Sequence, residues 1–176
     1  MKLSELMPDD EFDAEDGAIE IAGLTLDSRA VKPGFLFAAL PGVKQHGSAF
    51  IPQALEQGAA VILTDIPVEG LPVPVLVSEA PAAELAELAA RFYPRQPDHI
   101  VAITGTNGKS SSVEFLRQIW AAAGFDAACL GTLGVTRGDS LESLGYTTPD
   151  AVALHRALDQ LAADGVTHLA MEASSH

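Results

Sequence analysis

Gly105-Thr106-Asn107-Gly108-Lys109-Ser110-Ser111 lies between an apolar run, Ile100-Val101-Ala102-Ile103, and a stretch with helical periodicity. A strand, a glycine-rich turn and a helix N-terminus together make a polyphosphate cradle. The N–H groups of the turn and of the first helical turn lack intrahelical acceptors and point at one place. Lys109 would add a point charge near the β- and γ-phosphates, and the Ser110 hydroxyl a ligand for Mg²⁺. The spacing departs from the common phosphate loop. That pattern puts its first glycine six positions before the lysine, where this chain has Ile103, and Gly105 makes the loop shorter.

Glu172 is the second candidate, ending the mostly apolar run Val166-Thr167-His168-Leu169-Ala170-Met171. Ligands of open α/β sheets gather at the carboxyl ends of strands, where an acid can hold Mg²⁺ on nucleotide phosphates. Alone, it would read as an ordinary solvated carboxylate; the phosphate loop favours the metal role. Leu26-Asp27-Ser28-Arg29, followed by Lys32-Pro33-Gly34, could bind an anion, but a turn with an Asp–Arg pair is the simpler reading. Thr148-Pro149-Asp150 reads as an N-cap, a first-turn proline and an acid at the positive helix end, which also accounts for Thr147-Thr148. Cys129, in Ala127-Ala128-Cys129-Leu130, reads as a buried small hydrophobe. The five histidines share no metal-ligand spacing. Ser174-Ser175-His176 shows no third group to orient a nucleophile–base pair.

The elements that must position these residues fall into two α/β units, residues 1–97 and 98–176, divided at Pro94-Arg95-Gln96-Pro97. In the first, strands are expected at Ile19-Glu20-Ile21 with Leu24-Thr25-Leu26, at 35–40, at 60–64 and at 73–77, the last at an edge because Pro74 cannot donate to a ladder. Helices are expected from Phe50 to Gln57 and from Pro81, the latter with Leu85, Leu88 and Phe92 on one stripe. In the second, the helix after the loop carries Val113, Leu116, Trp120 and Ala123, and a later one carries Leu154, Leu158 and Leu161. About three parallel strands are visible there, fewer than a phosphate-loop domain normally needs. The chain is therefore expected to be the N-terminal part of a longer protein.

The chain has 176 residues, 48% of them hydrophobic, enough for globular cores. Its net charge of −14 repels phosphate backbones and argues against nucleic acid and anionic membranes as partners. No run approaches the ~20 apolar residues of a membrane span, and Met1-Lys2-Leu3-Ser4-Glu5-Leu6 lacks a signal-peptide core. A single cysteine excludes an internal disulfide and fits a reducing compartment. A cytoplasmic location is expected.

Four strings occur in order: Leu26-Asp27-Ser28-Arg29 with Pro33-Gly34, Gly105 to Ser110, Thr147-Thr148-Pro149-Asp150, and Met171-Glu172-Ala173-Ser174-Ser175-His176. Together they resemble the Mur ligases of peptidoglycan synthesis, most of all the branch that adds the third peptide residue. The loop alone is shared with folylpolyglutamate synthases, which leaves a ligase of that type, or a non-catalytic nucleotide-binding module, as the alternative. The resemblance implies a small N-terminal α/β domain that grips a uridine nucleotide. The first part of a phosphate-loop-type parallel α/β ATPase domain would follow. It implies a monomer using ATP and Mg²⁺, with UDP-N-acetylmuramoyl-dipeptide and a diamino acid as substrates.

By motif, Leu26, Ser28, Val43, Lys44 and Gln45 would touch the uridine-diphosphate part. Gly105, Thr106, Asn107, Gly108, Lys109, Ser110 and Ser111 would bind ATP, with Lys109 catalytic. Ser110 and Glu172 would hold magnesium, and Thr147, Thr148 and Ser174 would contact the muramoyl-dipeptide. The chain departs from the family at His46-Gly47, usually Asp-Gly, at Ser110-Ser111, commonly Thr-Thr, and at Ala173, commonly valine. The family's carbamylated lysine and C-terminal domain are not among these residues.

Overall fold

In the computed structural model, residues 1–42, 45–132, 134–142 and 149–173 are described. The chain divides into two compact units, Met1–Phe92 and Tyr93–His176. The division precedes the Pro94–Pro97 segment because Arg95 is tied to the second unit. Its backbone N–H donates to Asp159 Oδ1 at 3.0 Å, and its guanidinium Nη2 to Oδ2 at 2.7 Å.

The first unit is a four-stranded parallel sheet in the order β1-β2-β3-β4. Its strands are β1 (Gly23–Thr25), β2 (Phe35–Ala39), β3 (Ala59–Thr64) and β4 (Val75–Val77). The central strands β2 and β3 are buried almost throughout, as continuous apolar runs should be when both faces are covered. The proline-bearing segment supplies the edge strand. Helices α1 (Leu3–Leu6), α2 (Ile51–Glu56) and α3 (Pro81–Phe92) complete the unit. Ile51 and Ala54 of α2 pack with Val31, Phe37, Ala39 and Ile62, while Leu85, Leu88 and Ala89 of α3 are buried. The expected strand at Ile19–Ile21 does not join the sheet. Its backbone is satisfied elsewhere: Ile21 N–H donates to the Met1 carbonyl at 2.8 Å, and Glu20 forms an isolated bridge with Lys2.

In the second unit five strands run in the order β5-β9-β6-β7-β8. Strands β5 (His99–Ile103), β6 (Ala127–Gly131) and β9 (His168–Glu172) are parallel, as expected. The sheet is nevertheless mixed, because β7 (Gly134–Arg137) and β8 (Ser140–Glu142) extend it as an antiparallel hairpin. Helix α4 (Lys109–Ala122) covers one face, where Val113 meets Cys129 and Ala170 beside Leu116 and Trp120. On the other, α5 (Ala151–Ala163) sets Leu158 and Leu161 against Ala128, Leu130 and Leu169. Neighbouring residues of β6 and β9 thus serve opposite faces, the period of two that a pleated strand requires. Thr148, the expected N-cap of α5, lies outside the described residues. That role belongs to Asp150, whose carboxylate accepts the Ala153 N–H at 2.8 Å. A carboxylate caps as well as a hydroxyl does and also meets the positive end of the helix.

Candidate functional site

The phosphate loop joins β5 directly to α4. Gly105 has φ 147° and Gly108 φ 81°, backbone conformations that favour glycine. Gly108 is also the N-cap of α4 and offers no side chain to it, so the first-turn N–H groups remain available to an anion. Thr106, Asn107, Ser110 and Ser111 are exposed. The Lys109 ammonium donates to the Gly105 carbonyl at 2.6 Å, bridging the two ends of the turn.

Pairing of β5 with β9 sets Glu172 beside Ile103, the last residue of β5, and the Ala173 N–H donates to the Ile103 carbonyl at 2.9 Å. Sheet topology thereby brings the acid to the loop from a residue far along the chain. Glu172 Oε1 accepts the Thr132 N–H at 3.3 Å. Gly131 makes that placement possible, because a Cβ there would collide with the Glu172 carboxylate. Ser110, Gly131, Thr132 and Glu172 line one cavity of about 340 Å³, with Glu114 and Cys129 further along its wall. One hydroxyl and one carboxylate on a shared cavity suit Mg²⁺, which keeps waters and takes few protein ligands beside substrate phosphates. Among the described residues no group of three or more His, Cys, Asp or Glu forms a dedicated metal cage.

The sequence reading missed Gly131, Thr132 and the group around Glu114. Arg117 grips Glu114 through Nε at 2.9 Å and Nη2 at 2.5 Å, and Gln118 Nε2 donates to it at 2.7 Å. Arg117 accordingly holds the Glu114 carboxyl down to about 2. Spacings of three and four on α4 were the available signal. Cys129 is buried and its thiol donates to Glu114 Oε2 at 3.3 Å. Burial, then the neighbouring Glu114, pushes the thiol up to about 11, which leaves it inert as a nucleophile.

In the first unit the remaining candidates follow the carboxyl ends of parallel strands. Asp27 follows β1, caps the turn Ser28–Ala30 and is chelated by Arg29 at 2.9 and 2.7 Å. The Arg29 guanidinium holds the Asp27 carboxyl below the ordinary value. The Asp–Arg turn reading is therefore correct for these two residues. Leu26 is half-buried; Ser28 is buried and its hydroxyl donates to Gln53 Oε1 at 2.7 Å. Gln45 is exposed after β2, just before His46, the N-cap of the turn Gly47–Phe50. Val43, Lys44, Thr147, Thr148 and Ser174 lie outside the described residues.

Comparison with known families matches residues 20–93 to "Mur ligase family, catalytic domain" and residues 103–176 to "Mur ligase middle domain". The chain belongs to the Mur ligase family. The UDP-N-acetylmuramoyl-L-alanyl-D-glutamate–2,6-diaminopimelate ligase of Brucella melitensis is 51% identical over 179 residues, all of this chain and 37% of that protein. A solved structure of a ligase of the same name superposes with a TM-score of 0.83 at 27% identity, covering 100% of this chain and 36% of the other. A MurF ligase from Thermotoga maritima in complex with ADP shares the fold at 23% identity and a TM-score of 0.56, covering 85% of this chain and 31% of its own. This Mur ligase chain thus spans about a third of the length of the curated relatives it matches. Among its described residues, no helix is long and apolar enough to cross a membrane.

Proposed function

We propose that the two units serve an ATP-dependent amide-bond ligase of cytoplasmic peptidoglycan precursor synthesis. It joins a diamino acid to UDP-N-acetylmuramoyl-L-alanyl-D-glutamate, and the names of the relatives favour 2,6-diaminopimelate. Residues 1–97 handle the uridine-linked substrate, and residues 98–176 begin the ATP-handling part. The observation that carries this reading is the shortened phosphate loop with Ser110 and Glu172 on one cavity.

A free carboxylate is a poor electrophile at neutral pH and has to be activated. The substrate's glutamyl carboxylate oxygen attacks the γ-phosphorus of ATP; the bond to the bridging oxygen breaks, leaving an acyl phosphate and ADP. The loop N–H groups and the Lys109 ammonium stabilise the charge on the transferring group. Ser110 and Glu172 would hold Mg²⁺, which neutralises phosphate charge when bound. The amine of the diamino acid then attacks the activated carbonyl carbon, and inorganic phosphate leaves as the amide forms.

Calorimetric titration of the chain with UDP-N-acetylmuramoyl-L-alanyl-D-glutamate, ATP with Mg²⁺, and GTP tests the assignment. Binding of the first two is expected, and binding of GTP alone would defeat it. In the full-length ligase, Lys109→Ala is expected to slow acyl-phosphate formation by at least about 100-fold, the scale of losing one charge-stabilising donor. Normal release of ADP by that variant would remove Lys109 from the mechanism.

A further inference from the structure

A continuous set of contacts in the first unit begins at a carboxylate and ends at Ser28. Asp65, which follows β3, faces His46 with Oδ1 2.8 Å from Nε2. The other ring nitrogen, Nδ1, accepts the Ser48 backbone N–H at 3.1 Å and lies 2.8 Å from the Ser48 hydroxyl. A backbone N–H can only donate, so Nδ1 carries no proton. The proton sits on Nε2 and is given to Asp65. In that tautomer His46 caps the turn Gly47–Phe50, which runs straight into α2.

The connection is pinned at its other side as well. The Gly47 N–H donates to the Leu40 carbonyl at 2.8 Å, and a side chain at 47 would meet the Ala39–Leu40 backbone. From α2, Gln53 reaches back to accept the Ser28 hydroxyl. Ser28 is only 7% exposed and gives its one hydroxyl proton to Gln53, so it presents lone pairs to anything else.

We propose that Asp65, His46 and Gln53 are positioning residues for the uridine-nucleotide site of the first unit. Asp65 selects the His46 tautomer that caps the entry to α2, and α2 delivers Gln53 to orient Ser28. The inference rests on the substrate reading proposed above.

The test uses the 176-residue chain, with UDP-N-acetylmuramoyl-L-alanyl-D-glutamate as the titrant and thermal melts to confirm folding. Asp65→Ala and Gln53→Leu are each expected to weaken binding about fivefold, the scale of one lost cap or hydrogen bond. His46→Asn offers an amide oxygen to the Ser48 N–H and needs no orienting partner. The double variant His46→Asn/Asp65→Ala is therefore expected to bind like the parent, which a merely structural Asp65 would not allow. Undiminished binding by Asp65→Ala, or no rescue in the double variant, overturns the proposal. Imidazole ¹⁵N spectra give a separate readout: a protonated Nδ1 in the parent overturns it, and a bare Nδ1 that becomes protonated in Asp65→Ala upholds it. If the parent binds no uridine nucleotide, the functional reading fails, and those spectra still judge the tautomer.

Discussion

Gly131 and Glu114 line the cavity that Ser110 and Glu172 share, and neither belongs to a motif. Gly131 leaves room for the Glu172 carboxylate. Gly131→Ala is expected to push that carboxylate away and weaken ATP binding in the presence of Mg²⁺ about tenfold, roughly one charge-assisted contact. Binding of ATP in a chelator should hardly change, and equal losses with and without Mg²⁺ would refute a metal role for Glu172. Glu114 lies one helical turn beyond Ser110, where an uncompensated carboxylate would repel phosphate; Arg117 cancels its charge. Its folded-state value is depressed from 4.5 to about 2. The stabilisation is therefore fully present above the ordinary value and is lost as pH falls toward the depressed one. Denaturant melts should show Glu114→Gln less stable than the parent at neutral pH, with the gap closing as pH falls through that window. A gap that stays constant would mean that the Arg117 pair adds nothing.

Asp150 shows how an element start is decided by a contact. The string Thr148-Pro149-Asp150 contains two good capping residues, and only the folded backbone reveals which faces the Ala153 N–H. Asp150→Ala is expected to cost about 1 kcal/mol, a typical value for a lost N-cap, read as a lower denaturation midpoint. An unchanged midpoint would return the cap to Thr148. Strands β2 and β3 were legible because both of their faces are buried, and burial on both faces writes a continuous apolar run. Strands β7 and β8 were not, since the ladders joining β6 to β7 and β7 to β8 are made by backbone groups that any side chain permits. A Gly-Asp pair at 138 and 139 was the one local hint of that turn.

Across the whole molecule the two units should answer to different ligands. Hydrogen exchange is expected to slow near residues 26–28 and 45–53 with the uridine-linked substrate, and near 105–112, 131–132 and 172–173 with ATP and Mg²⁺. Protection of the first unit by ATP alone would undo this division of labour. The fold class, the phosphate loop, the acid at a strand end and the family resemblance were all decided by the sequence. Each depends on local chemistry: hydrophobic period, glycine placement and the order of short motifs. Tertiary structure alone decided that β9 lies between β5 and β6, which carries Glu172 to the loop. It alone paired His46 with Asp65 and Ser28 with Gln53. Such partners are far apart in sequence and meet only because parallel strands share a carboxyl edge, a proximity that no local pattern of residues encodes.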